Sequence, residues 1–177
     1  MLGVASDLFY WHGIRATGVD RVAAEAGVAP TTLYRLFASK DDLVAAYVQR
    51  TDRLYREWFT EALDAGGPDP RDRILALFDA LIEQVGPLHC RGCPFQMSLA
   101  ELPDPSTPAH QRAVASKTWV REQLGELTAR LEDTDPAALA DQLWVLVEGV
   151  YAAAQSCAAD GPAQQVRALV ESLLPGD

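Results

Sequence analysis

Residues 17 to 43 run Thr17-Gly18-Val19-Asp20-Arg21-Val22-Ala23-Ala24-Glu25-Ala26-Gly27-Val28-Ala29-Pro30-Thr31-Thr32-Leu33-Tyr34-Arg35-Leu36-Phe37-Ala38-Ser39-Lys40-Asp41-Asp42-Leu43, and the order of their turn formers and apolar positions decides the fold. Val19, Val22, Ala23 and Ala26 recur at helical spacing until Gly27 supplies a left-handed stop. Thr17, with Asp20 three residues on, is a weak capping box for the start of that helix. After the turn, Pro30 suits the first position of a new helix, in which Leu33 and Phe37 share a face that points back to Val22, Ala26 and Val28. Two short helices around a glycine turn form a helix-turn-helix pattern. At about 100° per residue, Thr31, Thr32 and Arg35 take the outward face, with Tyr34 on its flank. Short hydroxyls and an arginine on an exposed helix suit base edges in a major groove and the phosphates beside them. An ordinary helical hairpin with solvated Thr and Arg residues shares this spacing.

The pattern stays helical towards the C-terminus. Ser39 and Asp42 cap a helix reaching about Ala65, with Leu43, Tyr47, Leu54 and Trp58 on one stripe, and Gly66-Gly67-Pro68 ends it. A second helix over about 70–85 has Ile74, Leu77, Phe78, Leu81 and Ile82 inward, and a third over about 93–101 is apolar through Phe95, Met97 and Leu99. Pro103, Pro105 and Pro108 force a loop, after which helices are predicted over about 108–131, 136–159 and 162–174. Alternating β-branched runs are lacking, so the expected fold is all-α.

Ala5-Ser6-Asp7-Leu8-Phe9 with Gly13, then Thr17, Val22-Ala23, Ala26-Gly27-Val28, Thr32-Leu33-Tyr34, Phe37 and Ser39-Lys40-Asp41-Asp42-Leu43, resembles the N-terminal DNA-binding domain of the TetR/AcrR transcriptional regulators, position by position over about 45 residues. The resemblance implies an N-terminal three-helix helix-turn-helix domain, residues 1–45, and a C-terminal helical ligand-binding and dimerisation domain, residues 46–177. It implies that Thr31, Thr32 and Arg35 face the groove and that Tyr34 and Lys40 hold phosphates, and Thr17 is counted with this DNA-facing set. Lys40 opens a helix, whose unpaired N–H groups and partial positive charge favour phosphate. Two departures from the family pattern stand out: Leu36 replaces the common His or Tyr, and Met1 leads almost directly into the first helix where many members carry a basic arm.

Charge is divided along the same line. Residues 1–56 hold seven Lys or Arg against six acids, while the remainder holds eight basic and 19 acidic residues within an overall net charge of −10. A pI near 4.7 excludes a protein that coats nucleic acid by bulk electrostatics. It is compatible with a sequence-specific dimer whose contacts are few and local. At 177 residues and 49% apolar content, the chain has room for a reading head plus one helical body. No run reads as approaching the roughly 20 apolar residues of a membrane span, and no charged-then-apolar leader opens the chain, so a cytoplasmic protein without membrane partner is expected.

Residues 138–154 are apolar over more than one face, and the next helix carries Val166, Leu169, Val170, Leu173 and Leu174 as a second stripe. A monomeric core accounts for this. The resemblance implies instead a four-helix bundle between two copies, with Leu143, Val147, Val150, Ala154, Leu169, Val170 and Leu173 at the interface, so that two heads read a palindromic operator. Trp58, Phe78, Phe95, Leu99, Trp119, Trp144 and Tyr151 supply apolar walls, and Gln96 and Glu148, with Glu101 and His110 beside them, supply sparse polar groups. That composition suits a pocket for a small, mostly apolar effector and suits a plain helical core equally. The resemblance implies that an effector in the body releases DNA.

His89-Cys90-Arg91-Gly92-Cys93-Pro94 contains one Cys-x-x-Cys. Half a zinc site is present, but the remaining partners are Cys157 alone and the imidazoles of His12, His89 and His110, so no metal is expected. A thioredoxin-like reading needs a βαβ context that the helical pattern does not offer. The cysteines are expected to be structural, with a redox- or metal-responsive regulator using Cys90 and Cys93 as the alternative. No Glu-x-x-His pairs, phosphate loop or nucleophile elbow occur, so neither enzyme nor cofactor is expected. A helix-turn-helix protein that acts only through a protein partner is the remaining rival.

Overall fold

A computed structural model describes residues 1–86, 90–157 and 161–176. Among them are nine α-helices and no strand: α1 Leu2–His12, α2 Val19–Glu25, α3 Pro30–Leu36, α4 Lys40–Ala65, α5 Pro70–Gln84, α6 Pro94–Glu101, α7 Pro108–Thr128, α8 Pro136–Ser156 and α9 Val166–Leu173, with a short 3-10 turn at Pro162–Gln165 before the last. The all-α expectation is met. The proposed reach of the eighth helix to about residue 159 lies partly outside the described residues.

Local chemistry fixes the helix starts. At α4, Ser39 Oγ accepts the Asp42 N–H at 3.1 Å and donates to Asp42 Oδ2 at 2.8 Å, as the capping pair predicts. Asp69 and Asp135 cap α5 and α8, their carboxylates accepting Arg71 N–H at 2.8 Å and Ala137 N–H at 3.1 Å, and each is followed by a proline at the first helical position.

The chain forms two compact units, one of Met1–Tyr55 with Pro94–Ser116, the other of Arg56–Cys93 with Lys117–Asp177. The first unit is built on Ala5, Leu8, Phe9, Val22, Leu33, Leu43 and Tyr47, all buried, with Phe9 and Tyr47 rings 5.5 Å apart. It also encloses Asp52, whose carboxylate accepts the Ser116 hydroxyl at 2.6 Å. The second unit buries Phe59, Ile74, Leu77, Phe78, Leu81, Leu143, Val147, Tyr151 and Val170. Trp119 stands edge-on to Phe59 at 5.2 Å and carries the Arg56 guanidinium 4.6 Å above its ring.

Two readings are corrected here. On α4 the inward stripe continues through Tyr55 and Phe59, while Leu54 is exposed: at about 100° per residue position 54 falls between Leu43 and Tyr47, but the buried face itself turns about the helix axis, from Leu43 and Tyr47 towards Tyr55, Phe59 and Leu63. The 21-residue α8 is long and apolar enough, by length and composition, to cross a membrane, although Asp141 and Glu148 interrupt it. A helix of that composition needs cover on more than one side.

Candidate nucleic-acid interface

Gly27 builds the turn of the reading head. Its φ of +66° lets Val28 N–H reach Ala23 O at 3.0 Å and Gly27 N–H reach Ala24 O at 3.1 Å, the paired bonds of a Schellman stop. The chain then re-enters helix at Pro30, and α3 packs against α2 through fully buried Leu33. That one anchor orients the rest. Thr31 and Arg35 are exposed, Thr32 is half-buried, and Tyr34 is 50% exposed. Leu36 is 58% exposed and offers no polar group to a phosphate. Lys40 opens α4, half-buried, with its ammonium 3.5 Å from the Arg15 carbonyl.

Thr17 is a correction. Its side chain is fully buried and its hydroxyl donates to Leu8 O at 3.4 Å, so it fastens the start of α2 to α1 and does not face solvent. The residue before α2 is Gly18, which makes no side-chain cap.

Glu101 is the functional candidate whose placement the sequence did not reveal. Read as a polar neighbour of an effector pocket, it instead sends its carboxylate to the loop after α1, where it accepts Ile14 N–H at 3.0 Å and Arg15 N–H at 2.7 Å. The last residue of α6 therefore clasps the backbone of the head, and Lys40 bonds the carbonyl of the same Arg15. Gly13, which ends α1 with φ +93°, marks where that carboxylate approaches the chain. Nothing in residues 86 positions apart in sequence announces the pair.

The effector candidates divide between the units. Phe95, Gln96 and Leu99 lie in the first; Trp58, Phe78, Trp119, Trp144, Glu148 and Tyr151 lie in the second. Phe78, Phe95 and Tyr151 are buried and the others half-buried. Several polar anchors already have partners: Tyr151 OH donates to Gln84 Oε1, Trp144 Nε1 to Lys117 O at 3.3 Å, and Glu148 Oε1 accepts Lys117 Nζ at 2.5 Å. His110 Nδ1 lies 2.7 Å from Leu102 O.

The interface candidates divide by face. Leu143, Val147, Val150 and Val170 are buried inside the chain's own core, because α8 and α9 both pack on α5. Ala154 and Leu173 are half-buried and Leu169 is 47% exposed. The apolar face left open on α8 is Val145, 58% exposed, with Gly149 and Ala152. Beside it, Leu146, Gly149, Ala153, Pro162, Val166 and Leu169 line an apolar groove of about 220 Å³. On the neighbouring surface, Arg121 and Asp141 pair at 2.5 and 3.0 Å, and this bond holds the Asp141 carboxyl below the usual carboxylate range. Asp104 is likewise lowered, chiefly by the Ser106 hydroxyl at 2.7 Å.

Cys90, Cys93 and Cys157 are thiols, and no cluster of three or more metal-ligand side chains exists among the described residues. His89 lies outside them.

A head of this geometry on a helical body defines a helix-turn-helix regulator, and comparison with known proteins gives the family. Residues 2–47 match the profile of bacterial regulatory proteins of the tetR family, and residues 70–170 match the tetracyclin repressor-like C-terminal domain. The chain belongs to the TetR family of DNA-binding transcription regulators. It is similar to SCO4454, a TetR-family transcriptional regulator from Streptomyces coelicolor, at 34% identity over 97% of this chain and 90% of that one, with a TM-score of 0.91. It is 28% identical to the HTH-type transcriptional regulator YjdC of Escherichia coli K12 over 84% of this chain and 78% of YjdC. In fold it resembles AibR, solved with isovaleryl coenzyme A and operator DNA, at 20% identity, 99% and 97% coverage and a TM-score of 0.73.

Proposed function

We propose that the chain is a cytoplasmic, homodimeric repressor that binds a palindromic operator and leaves it when a small, mostly apolar molecule enters the helical body. The observation that carries this reading is α3, where one buried leucine turns Thr31, Tyr34 and Arg35 outward together, with Thr32 half-buried beside them. Arg35 reads a guanine edge, Thr31 and Thr32 lie against neighbouring bases, and Tyr34 and Lys40 bind phosphates. Residues 1–45 act as the reading head and residues 46–177 bind the effector and the second copy.

The exposed faces of α8 and α9, with Val145, Gly149, Ala152 and Leu169, support dimerisation, because apolar surface of this kind marks an interface. Leu173 and Ala154 sit at its margin, while Leu143, Val147, Val150 and Val170 support it from beneath. An effector site among Trp58, Trp119 and Trp144, reaching Phe78, Glu148 and Tyr151, is supported by their half-buried aromatic surface; Phe95, Gln96 and Leu99 remain candidates in the first unit. AibR, solved with isovaleryl coenzyme A and operator DNA, is a precedent of fold only. The function is tested by selecting duplexes from a random pool with the full chain and then screening apolar and aromatic compounds for loss of that binding. Enrichment of a palindrome, and its release by a compound that also raises the melting temperature, is the expected result. A pool that stays random contradicts it.

A further inference from the structure

Cys93 stands immediately before the first residue of α6 and is 1% exposed. Its sulfur accepts a hydrogen bond from Lys117 Nζ on α7 at 3.0 Å, and the same ammonium is paired with Glu148 Oε1 on α8 at 2.5 Å. The Lys117 and Glu148 side chains are 13% and 16% exposed. A lysine drawn so far from water needs partners for its charge and its donors; Glu148 is one, and the sulfur is the other. The ammonium thus lies against the nucleophilic sulfur, placed to give a proton to a group that leaves as the sulfur attacks. A second thiol is three positions upstream. Cys90 Sγ accepts the Gly92 N–H at 3.3 Å, and Gly92 has a φ of +122°, a backbone state that side-chain-bearing residues rarely adopt, so the turn joining the two cysteines is built for glycine.

We propose that Cys93, activated by Lys117 and held in place by Glu148, is a site of oxidation by hydrogen peroxide or a comparably small hydroperoxide, with Cys90 as the resolving thiol. The Cys93 sulfur attacks one peroxide oxygen: an S–O bond forms and the O–O bond breaks. The departing hydroxide takes a proton from the Lys117 ammonium, which recovers the proton of the thiol. Sulfur is oxidised to the sulfenic acid and the second peroxide oxygen is reduced to water. Cys90 sulfur then attacks Cys93 sulfur, forming the S–S bond, and the hydroxide leaves with the Cys90 proton as a second water. Burial restricts the reactant to something little larger than water. The partner that the Cys-x-x-Cys lacks is therefore a lysine from a helix 24 residues away, which no metal or thioredoxin template would find.

The consequence for DNA rests on the proposed regulator function. Cys93 is bonded to the start of α6, and α6 ends in the Glu101 clasp on Ile14 and Arg15. Oxidation strains the first turn of this eight-residue helix and loosens its last.

The full chain treated with stoichiometric hydrogen peroxide tests this by peptide mass mapping, with operator retention read in parallel. Cys90 and Cys93 should lose their thiols together while exposed Cys157 keeps its own. Cys90→Ser should hold Cys93 at the sulfenic acid, read in the peptide map as the mass of one added oxygen on the Cys93 peptide. Lys117→Met should slow the reaction roughly tenfold, and Lys117→Arg should retain most of the rate. Oxidised wild type should lose operator affinity roughly tenfold and regain it with reductant, while Cys93→Ser is indifferent. Prior oxidation of Cys157, or equal rates for wild type and folded Lys117→Met, would overturn the site. If Lys117→Met does not fold, the order of thiol loss in wild type decides the question. Thiol mapping needs no DNA, so failure of operator binding by the reduced chain would count against the regulator reading and not against this chemistry.

Discussion

In the head, the polar residues fitted to DNA stand in solvent around a single buried leucine; in the body, polar residues fitted to an effector are already bonded to other groups of the chain. Thr31, Tyr34 and Arg35 have exposed side chains held by α3 alone. Glu148, Tyr151 and Trp144 are tied to Lys117, Gln84 and the Lys117 carbonyl. A surface that reads an outside partner must leave its donors and acceptors open, whereas a buried polar group left open costs about 1–3 kcal/mol. An effector must therefore either replace bonds already made or use the apolar surface around them.

The comparison breaks most readily at α9, where neighbouring residues have opposite duties. Val170 is fully buried, so Val170→Glu should place a charge in the chain's own core and unfold it, a loss of about 3–5 kcal/mol seen in denaturant titration. Leu169→Glu, one position away and exposed, should leave a folded chain that sediments as a monomer. Equal loss of fold in both variants would erase the distinction between core and interface. Next in size is Glu101→Ala, which leaves two backbone N–H groups of the head without their carboxylate. It should cost about 1–3 kcal/mol of stability and weaken operator binding, with faster hydrogen exchange at Ile14 and Arg15.

Lys40→Ala should have a smaller and more uniform effect. All duplexes should bind more weakly by the same factor, and the slope of log affinity against log salt should flatten by about 1. The smallest effect belongs to the surface pair of Arg121 and Asp141. Because the Arg121 guanidinium lowers the Asp141 carboxyl, the pair contributes above the ordinary carboxylate range, and the contribution disappears as pH falls through the lowered value. Melting temperatures of wild type and Asp141→Asn should therefore converge in acid; a gap that persists there would assign the effect to something other than ionisation.

The head was legible because its rules are local. Gly27, Pro30 and the Ser39/Asp42 pair each act within a few residues, and the structure uses each as read. Thr17 misled for a local reason too: a hydroxyl just before a helix serves equally as cap or as buried donor, and Leu8, nine residues away, decides which. In the body the decisive partners are remote. Periodicity identified Leu143, Val147, Val150 and Val170 as apolar but could not say whether the same chain or a second copy covers them, since that depends on how α5 packs. Glu101 and Cys93 acquire their meaning from residues 86 and 24 positions away in sequence, beyond the reach of any helical or motif rule.

The central claim is that the outward face of α3 reads sequence, and affinity measured for every single-base variant of a selected half-site, at one stated salt concentration, tests it most directly with wild type and Arg35→Ala side by side. Wild type should discriminate by about 1–3 kcal/mol at the base pair that Arg35 contacts. Arg35→Ala should lose that amount of affinity and become indifferent at that position while keeping its preferences elsewhere. An Arg35→Ala profile that matches wild type at every position, with unchanged affinity, would contradict the account.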